Sequence, residues 1–257
     1  MNNPFDHFGP TSNLKVEKIY KYRAINQYSF DIIDKNILKF SHPSEFNDPF
    51  DCDFSTICFD ETDKIDPLVQ RDMDIIHELF SGRLKVGDPL MNKSFESSVE
   101  GKLRFSSICS FSTSPDIPLL WSHYADSHKG MCLEFNNSTH SMFVNEDFKA
   151  DLEGNVDYDD YASVNYLEGK IKAMQRLFAT KNKTWSYEQE YRILINKPGG
   201  CYKYKPELLT AIYFGLKTSI TDVNAIIHKC WDKGLTPLFF QMGKDNHNLY
   251  SRITMVR

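Results

Sequence analysis

Short runs of aromatic and β-branched residues, ended by Gly, Pro, Asn or Asp and separated by stretches of helical periodicity, recur along the whole 257-residue chain. Such runs bury their faces only by joining a sheet, and the amphipathic stretches between them supply its cover. The last third shows the pattern most plainly. LLTAIYFG (208–215), LTPLFFQM (235–242) and NLYSRITMV (248–256) read as strands, with SITDVNAIIHKCWDKG as a helix capped near Ser219 or Thr221. Upstream, KVEKIYKYR (15–23), NILKFSHP (36–43), RFSSICSFSTS (104–114) and MCLEF (131–135) read as strands. Helices are expected over 66–82, over 92–103, and from Asp116 and Pro118 to Gly130. A further helix carries Ile171, Met174, Leu177 and Phe178 inward and turns Lys170, Lys172, Arg176, Lys181 and Lys183 outward. The acidic stretch 145–160 reads as a solvated loop. The expectation is a single α+β domain over 15–257, with one mixed or split central sheet flanked by helices, after a loose arm over 1–14.

Charge and cysteine usage narrow the function. A net charge of -5 disfavours non-specific polyanion binding. The six cysteines form no CxxC pair, and the start MNNPFDHFGP has no basic-then-apolar leader, so free thiols in a cytoplasm are expected. No apolar stretch approaches the roughly 20 residues that span a bilayer, so no membrane partner is expected. Phosphate loops, GxGxxG, GxSxG and HExxH are all missing from the sequence.

TWSYEQEYRILI (184–195) is the first chemical candidate. Read as a strand, it places Glu188, Glu190 and Arg192 on one face. That face is either an exposed set of mutually stabilising charges or a carboxylate edge suited to a sugar. Tyr22-Arg23 ends the first strand, and the Arg23 fork suits carboxylate or phosphate oxygens, unless it pairs with an acidic residue of the core. Ser112, Thr113 and Ser114 close the strand ICSFSTS, where hydroxyls can position a ribose or serve helix entry. In LLWSHYADSHKG, Trp121, His123, Tyr124 and His128 cluster; Tyr124 and His128 share a helical face, and the spacing fits no zinc site. In FNDPFDCD, Asp48, Asp51 and Asp53 offer a divalent-cation site, but turn chemistry accounts for Asn47 and Asp48, and structural use is the expectation.

The motifs KYR, FNDPFDC, SFSTSPDIPLLWSHYADSHKGMCLEF, WSYEQEYR and AIYFGL, in this order, resemble a widespread bacterial family known as a domain of unknown function, over roughly residues 18 to 245. An aromatic-Arg pair on the first strand, Ser-Thr-Ser closing a middle strand and Glu-x-Glu on a later one also resemble ADP-ribosyltransferases of the arginine, serine, glutamate type. That resemblance implies an ADP-ribosyltransferase-like fold and NAD as substrate. It implies that Arg23 grips NAD phosphate or ribose, Ser112 supports the site, Glu190 is the catalytic glutamate and Glu188 helps choose the acceptor. Tyr22, Tyr124 or Tyr187 would stack on nicotinamide, and no metal is required. It also implies a toxin or anti-phage effector whose acceptor is a protein side chain, a nucleic-acid base or water, with a partner or regulatory protein as a further expectation. Two other readings stay open. One is a metal-dependent nuclease-like effector using Asp48, Asp51, Glu188 and Glu190. The other is a non-enzymatic sensing or interaction module built on WSHYADSHKG.

Overall fold

The computed structural model describes residues 16–79, 88–137, 150, 152–160, 162–244 and 251–255; the arm expected over 1–14 lies outside them. In chain order the elements are β1 (Lys18–Arg23), α1 (Gln27–Lys35), β2 (Ile37–Phe40), β3 (Ile57–Cys58), α2 (Pro67–Leu79), α3 (Pro89–Phe105), β4 (Ser107–Ser112), α4 (Pro118–Tyr124) and β5 (Met131–Asn136). There follow β6 (Leu152–Asn155), β7 (Asp157–Asp159), β8 (Val164–Asn165), α5 (Lys170–Ala179), β9 (Thr180–Asn182), β10 (Glu190–Ile195), β11 (Gly200–Lys203), β12 (Leu209–Phe214), α6 (Ile220–Asp232), β13 (Leu238–Gly243) and β14 (Ser251–Met255).

Eight strands form one central sheet in the order β14-β13-β12-β5-β1-β4-β10-β6, giving a mixed α+β architecture flanked by helices. Neighbours run antiparallel except β12 and β13, which are parallel and joined through α6, as a parallel pair requires a crossover. Alternation along the strands sorts the core. Ile19, Phe111, Phe135, Ile193 and Phe214 face α1 and α6 through Ile33, Val223 and Ile226. The opposite face carries two clusters. Tyr20, Tyr22 and Tyr213 pack with Leu120 and Trp121 of α4, while Ile108 and Leu194 pack under α2, α3 and α5 through Val69, Phe95 and Phe178.

The sheet is nearly divided in the middle. β1 registers with β5 over six residue pairs, and β4 with β10 over six, but β1 meets β4 only at Tyr20 opposite Ser112. Beyond that pair the two strands part.

Several elements differ from the sequence expectation. TWSYEQEYRILI is not one strand: Lys183–Glu188 is a 3-10 turn, Gln189 is left-handed (φ 45), and the strand starts at Glu190. The helix expected to reach Gly130 stops at Tyr124, and Asp126, Ser127 and His128 follow with φ of 45, 53 and 73. The chain there folds back against the end of β1, so closely that a Cβ on Gly130 would lie 2.2 Å from the Arg23 carbonyl oxygen. α3 runs on to Phe105 and delays β4 to Ser107. The acidic stretch contains β6 and β7, because pairing with β10 and β9 answers their backbone groups whatever the side-chain charge. Arg176 and Lys181, expected to face outward, are buried. Among the described residues no helix is long and apolar enough to cross a membrane.

Candidate functional site

A pocket of 480 Å³ opens where β1 and β4 part. The register sets its floor. Tyr20 lies opposite Ser112 and Ser112 opposite Glu190, so the three stand in one row across adjacent strands, in the polar gap between the two apolar clusters of that face. Arg23, from the end of β1, and Glu188, from the 3-10 turn, also line it.

One wall is a buried ion network. Glu190 accepts from Arg192 through Nε (2.8 Å) and Nη2 (3.2 Å), and Lys181 Nζ stands 3.4 Å from it. Lys181 also donates to Glu188 at 2.6 Å and lies 3.7 Å from Asp51, while Arg192 holds both oxygens of Asp51. Three carboxylates, those of Asp51, Glu188 and Glu190, thus surround the two cations Lys181 and Arg192 in this wall, while Lys21 and Arg23 line the pocket apart from them. Burial alone would raise the Glu190 carboxyl, but the Arg192 and Lys181 charges outweigh it and hold it at about 2. Burial would likewise lower Lys181, yet Glu190, Glu188 and Asp51 raise it above the usual lysine value. Glu190 is therefore an anion throughout the neutral range, suited to stabilising developing positive charge rather than to carrying protons.

A second wall is aromatic. Tyr124 donates to Glu188 at 2.8 Å, and its hydroxyl is pushed up by burial and by the Glu188 charge. His123 lies beside it, edge-on to both Tyr124 and Tyr187, each with ring centroids 6.2 Å away. Trp185 continues the series from Tyr187 and covers Lys181 at 4.7 Å. Tyr22 lines the pocket with its ring, while its hydroxyl donates to the Ser114 carbonyl (2.9 Å) and accepts from the Ile117 amide (3.3 Å).

Of the residues singled out in the sequence, Arg23, Tyr22, Ser112, His123, Tyr124, Glu188 and Glu190 line this one pocket. Ser112 also braces it, its hydroxyl donating to the Glu188 carbonyl at 2.8 Å and accepting from the Ser114 amide at 3.2 Å. Thr113 ties the β4 end to Gln189 from outside the lining. Trp121 is buried, its indole donating to the Pro115 carbonyl at 2.9 Å. His128 contacts Ser122 at 2.9 Å, away from the pocket. The exposed charged face read from Glu188, Glu190 and Arg192 is corrected, since all three are buried. Asp48 caps Phe50 in its turn, outside the pocket lining. The oxygens of Asp51, Glu188 and Glu190 are spent on Lys181, Arg192 and Tyr124, and among the described residues no three His, Cys, Asp or Glu side chains group as a metal site requires.

Lys181 and Lys21 are the residues sequence reasoning missed. A signal existed for each. Several carboxylates converging in a folded interior require cations, and alternation along KIYKYR puts Lys21 on the same face as Arg23.

Residues 120–193, which run from α4 through β10, match the family described as a protein of unknown function (DUF2971). That stretch takes in LWSHYADSHKG and WSYEQEYR, with His123, Tyr124, Glu188 and Glu190, and Lys181 between them, and leaves Arg23, Ser112 and FNDPFDC outside it. No ADP-ribosyltransferase family matches. A search of the curated proteins found no match, and a search of the solved structures found none.

Proposed function

We propose that the protein is an NAD-using enzyme, an ADP-ribosyltransferase or NAD glycohydrolase with an ADP-ribosyltransferase-like fold, acting as a bacterial effector in toxin or anti-phage systems. The observation that carries this reading is that Arg23, Ser112 and Glu190, drawn from three strands far apart in sequence, line a single pocket. Glycosidic cleavage of NAD breaks the bond between ribose C1′ and the nicotinamide nitrogen, and the bonding pair leaves with nicotinamide. Positive charge grows on the sugar as in other glycoside cleavages. Glu190, held ionised by Arg192 and Lys181 and lining the pocket, is the group assigned to stabilise that charge. The Tyr124 and Tyr22 rings offer stacking surfaces for nicotinamide, and Arg23 a cation for the diphosphate. An acceptor side chain, a base or water then bonds to C1′ and gives up its proton.

The test is nicotinamide release from labelled NAD by the purified protein, with and without bacterial lysate, beside Glu190→Gln. Wild type is expected to release nicotinamide, and the folded variant to lose roughly 10²–10³-fold in rate, as when one electrostatic stabiliser is removed. No release by wild type under either condition would sink the proposal and leave the pocket a binding module.

A further inference from the structure

The cations of the pocket fall into two groups. Lys181 is answered by Asp51, Glu188 and Glu190, and Lys39 by Glu45 at 2.6 Å. Lys21 and Arg23 are not answered: among the described residues neither has a carboxylate within ion-pair distance. The Arg23 Nε is buried and has no hydrogen-bond partner. The Lys21 ammonium donates to the Ser110 carbonyl beside the Phe111 ring, and an ammonium has three donors. Burial, with the Arg23 charge, lowers the Lys21 ammonium from its usual value, and the Cys109 thiol it touches and the more distant Glu190 charge offset this only in part. The two side chains leave β1 two residues apart, hence from the same face, the one that Ile19 shares and opposite to that of Tyr20 and Tyr22, and they reach the pocket because it opens between β1 and β4.

We propose that Lys21 and Arg23 form a subsite for a diphosphate group, so that the pocket takes a ligand of the nucleoside diphosphate class. Two long, flexible cationic side chains lining one pocket can each take one of two linked phosphoryl groups, whereas a monophosphate leaves one cation unanswered. The inference deepens the reading of the pocket as a dinucleotide site and rests on it for the rest of the ligand. Lys21 is the residue that distinguishes diphosphate from monophosphate; its present bond to Ser110 leaves donors for the ligand.

Calorimetric titration of the full chain with ADP, AMP, adenosine and inorganic pyrophosphate tests this. ADP is expected to bind at least about tenfold more tightly than adenosine, with AMP between them and pyrophosphate competing with ADP, since charge-assisted bonds to phosphate oxygens are the strong ones. Lys21→Met, which keeps the stem, is expected to weaken ADP about tenfold and leave adenosine unchanged, and Lys21→Arg to retain ADP binding. Equal affinity for ADP and adenosine, or wild-type ADP affinity in a folded Lys21→Met protein, overturns the subsite. If Lys21→Met does not fold, the wild-type ranking decides alone. ADP binding without nicotinamide release from NAD sustains the subsite and ends the transferase reading; nicotinamide release without preference for ADP over adenosine ends the subsite.

Discussion

Arg192 and Arg23 are two arginines beside one pocket, and their hydrogen bonds separate them. An arginine has five N–H donors. Those of Arg192 are all engaged, by Glu190, Asp51 and the Phe178 carbonyl, and the side chain is buried at 1 % exposure. Nothing is left for a ligand, so Arg192 is a clamp that fixes Glu190 against Asp51. Arg192→Met leaves Asp51 and Glu190, with Glu188, to Lys181 alone and is expected to cost about 3–5 kcal/mol of stability, the usual penalty for breaking a buried pair. Arg23→Gln removes a side chain with no ion pair, and is expected to stay within about 1 kcal/mol of wild type while losing ligand binding. Urea unfolding of both variants checks this, and equal destabilisation would remove the distinction. The sequence marked both arginines, because Arg is conspicuous at the end of a strand and beside carboxylates. It could not sort them, since the sorting depends on Asp51, which lies 141 residues from Arg192 in the chain.

At the scale of elements, the joint at Gln189 decides where the glutamates go. The period-2 spacing of Glu188 and Glu190 suggested a common strand face. They do meet the same lysine, but by another route: the 3-10 turn ends at Glu188, Gln189 turns the chain through a left-handed conformation, and β10 starts at Glu190. Trp185, Tyr187 and Tyr191 favour strand by composition, whereas Asn182 accepts from the Thr184 amide and starts the turn, a local signal the aromatic run obscured. A non-glycine residue at φ 45 is strained. Gln189→Gly is therefore expected to be neutral or to stabilise slightly, whereas Gln189→Val, whose β-branched side chain fits the left-handed region worse than the Gln it replaces, is expected to destabilise by about 1 kcal/mol. Thermal melts of the pair decide it; a less stable glycine variant would show that contacts of the Gln189 side chain, not its backbone, hold the joint. The existence of β1, β4, β5, β12 and β13 was legible because periodicity is local, whereas the starts of β4 and β10 were not. The early stop of α4 was not, since the reason lies in the approach of Gly130 to the Arg23 carbonyl.

For the whole molecule, the decisive arrangement is the order β1-β4-β10, which no local pattern announces. It makes a ligand-sized opening out of a nearly divided sheet, and it concentrates buried carboxylates whose ionisation the fold depends on. Glu190 is held at about 2; Glu134, which burial would raise, is lowered overall by its bonds to Lys18, Tyr213 and Thr210. A carboxyl with a folded value below its unfolded one binds protons more readily in the unfolded chain. Its stabilisation is complete above the unfolded value of about 4.3 and is lost as the pH falls through that value toward the folded one. Asp157, raised by burial, has the opposite sign, but among the described residues it stands alone in that direction among the shifted carboxylates. The urea midpoint is therefore expected to be nearly flat from about pH 7 to 5 and to fall steeply from there toward pH 2. In the double variant Glu190→Gln, Arg192→Met, the most strongly shifted carboxyl is gone together with its main partner, and the fall should be shallower even if stability at neutral pH is altered. An unchanged slope in the double variant would mean that acid lability arises elsewhere, and that the Arg192 clamp does not keep Glu190 ionised.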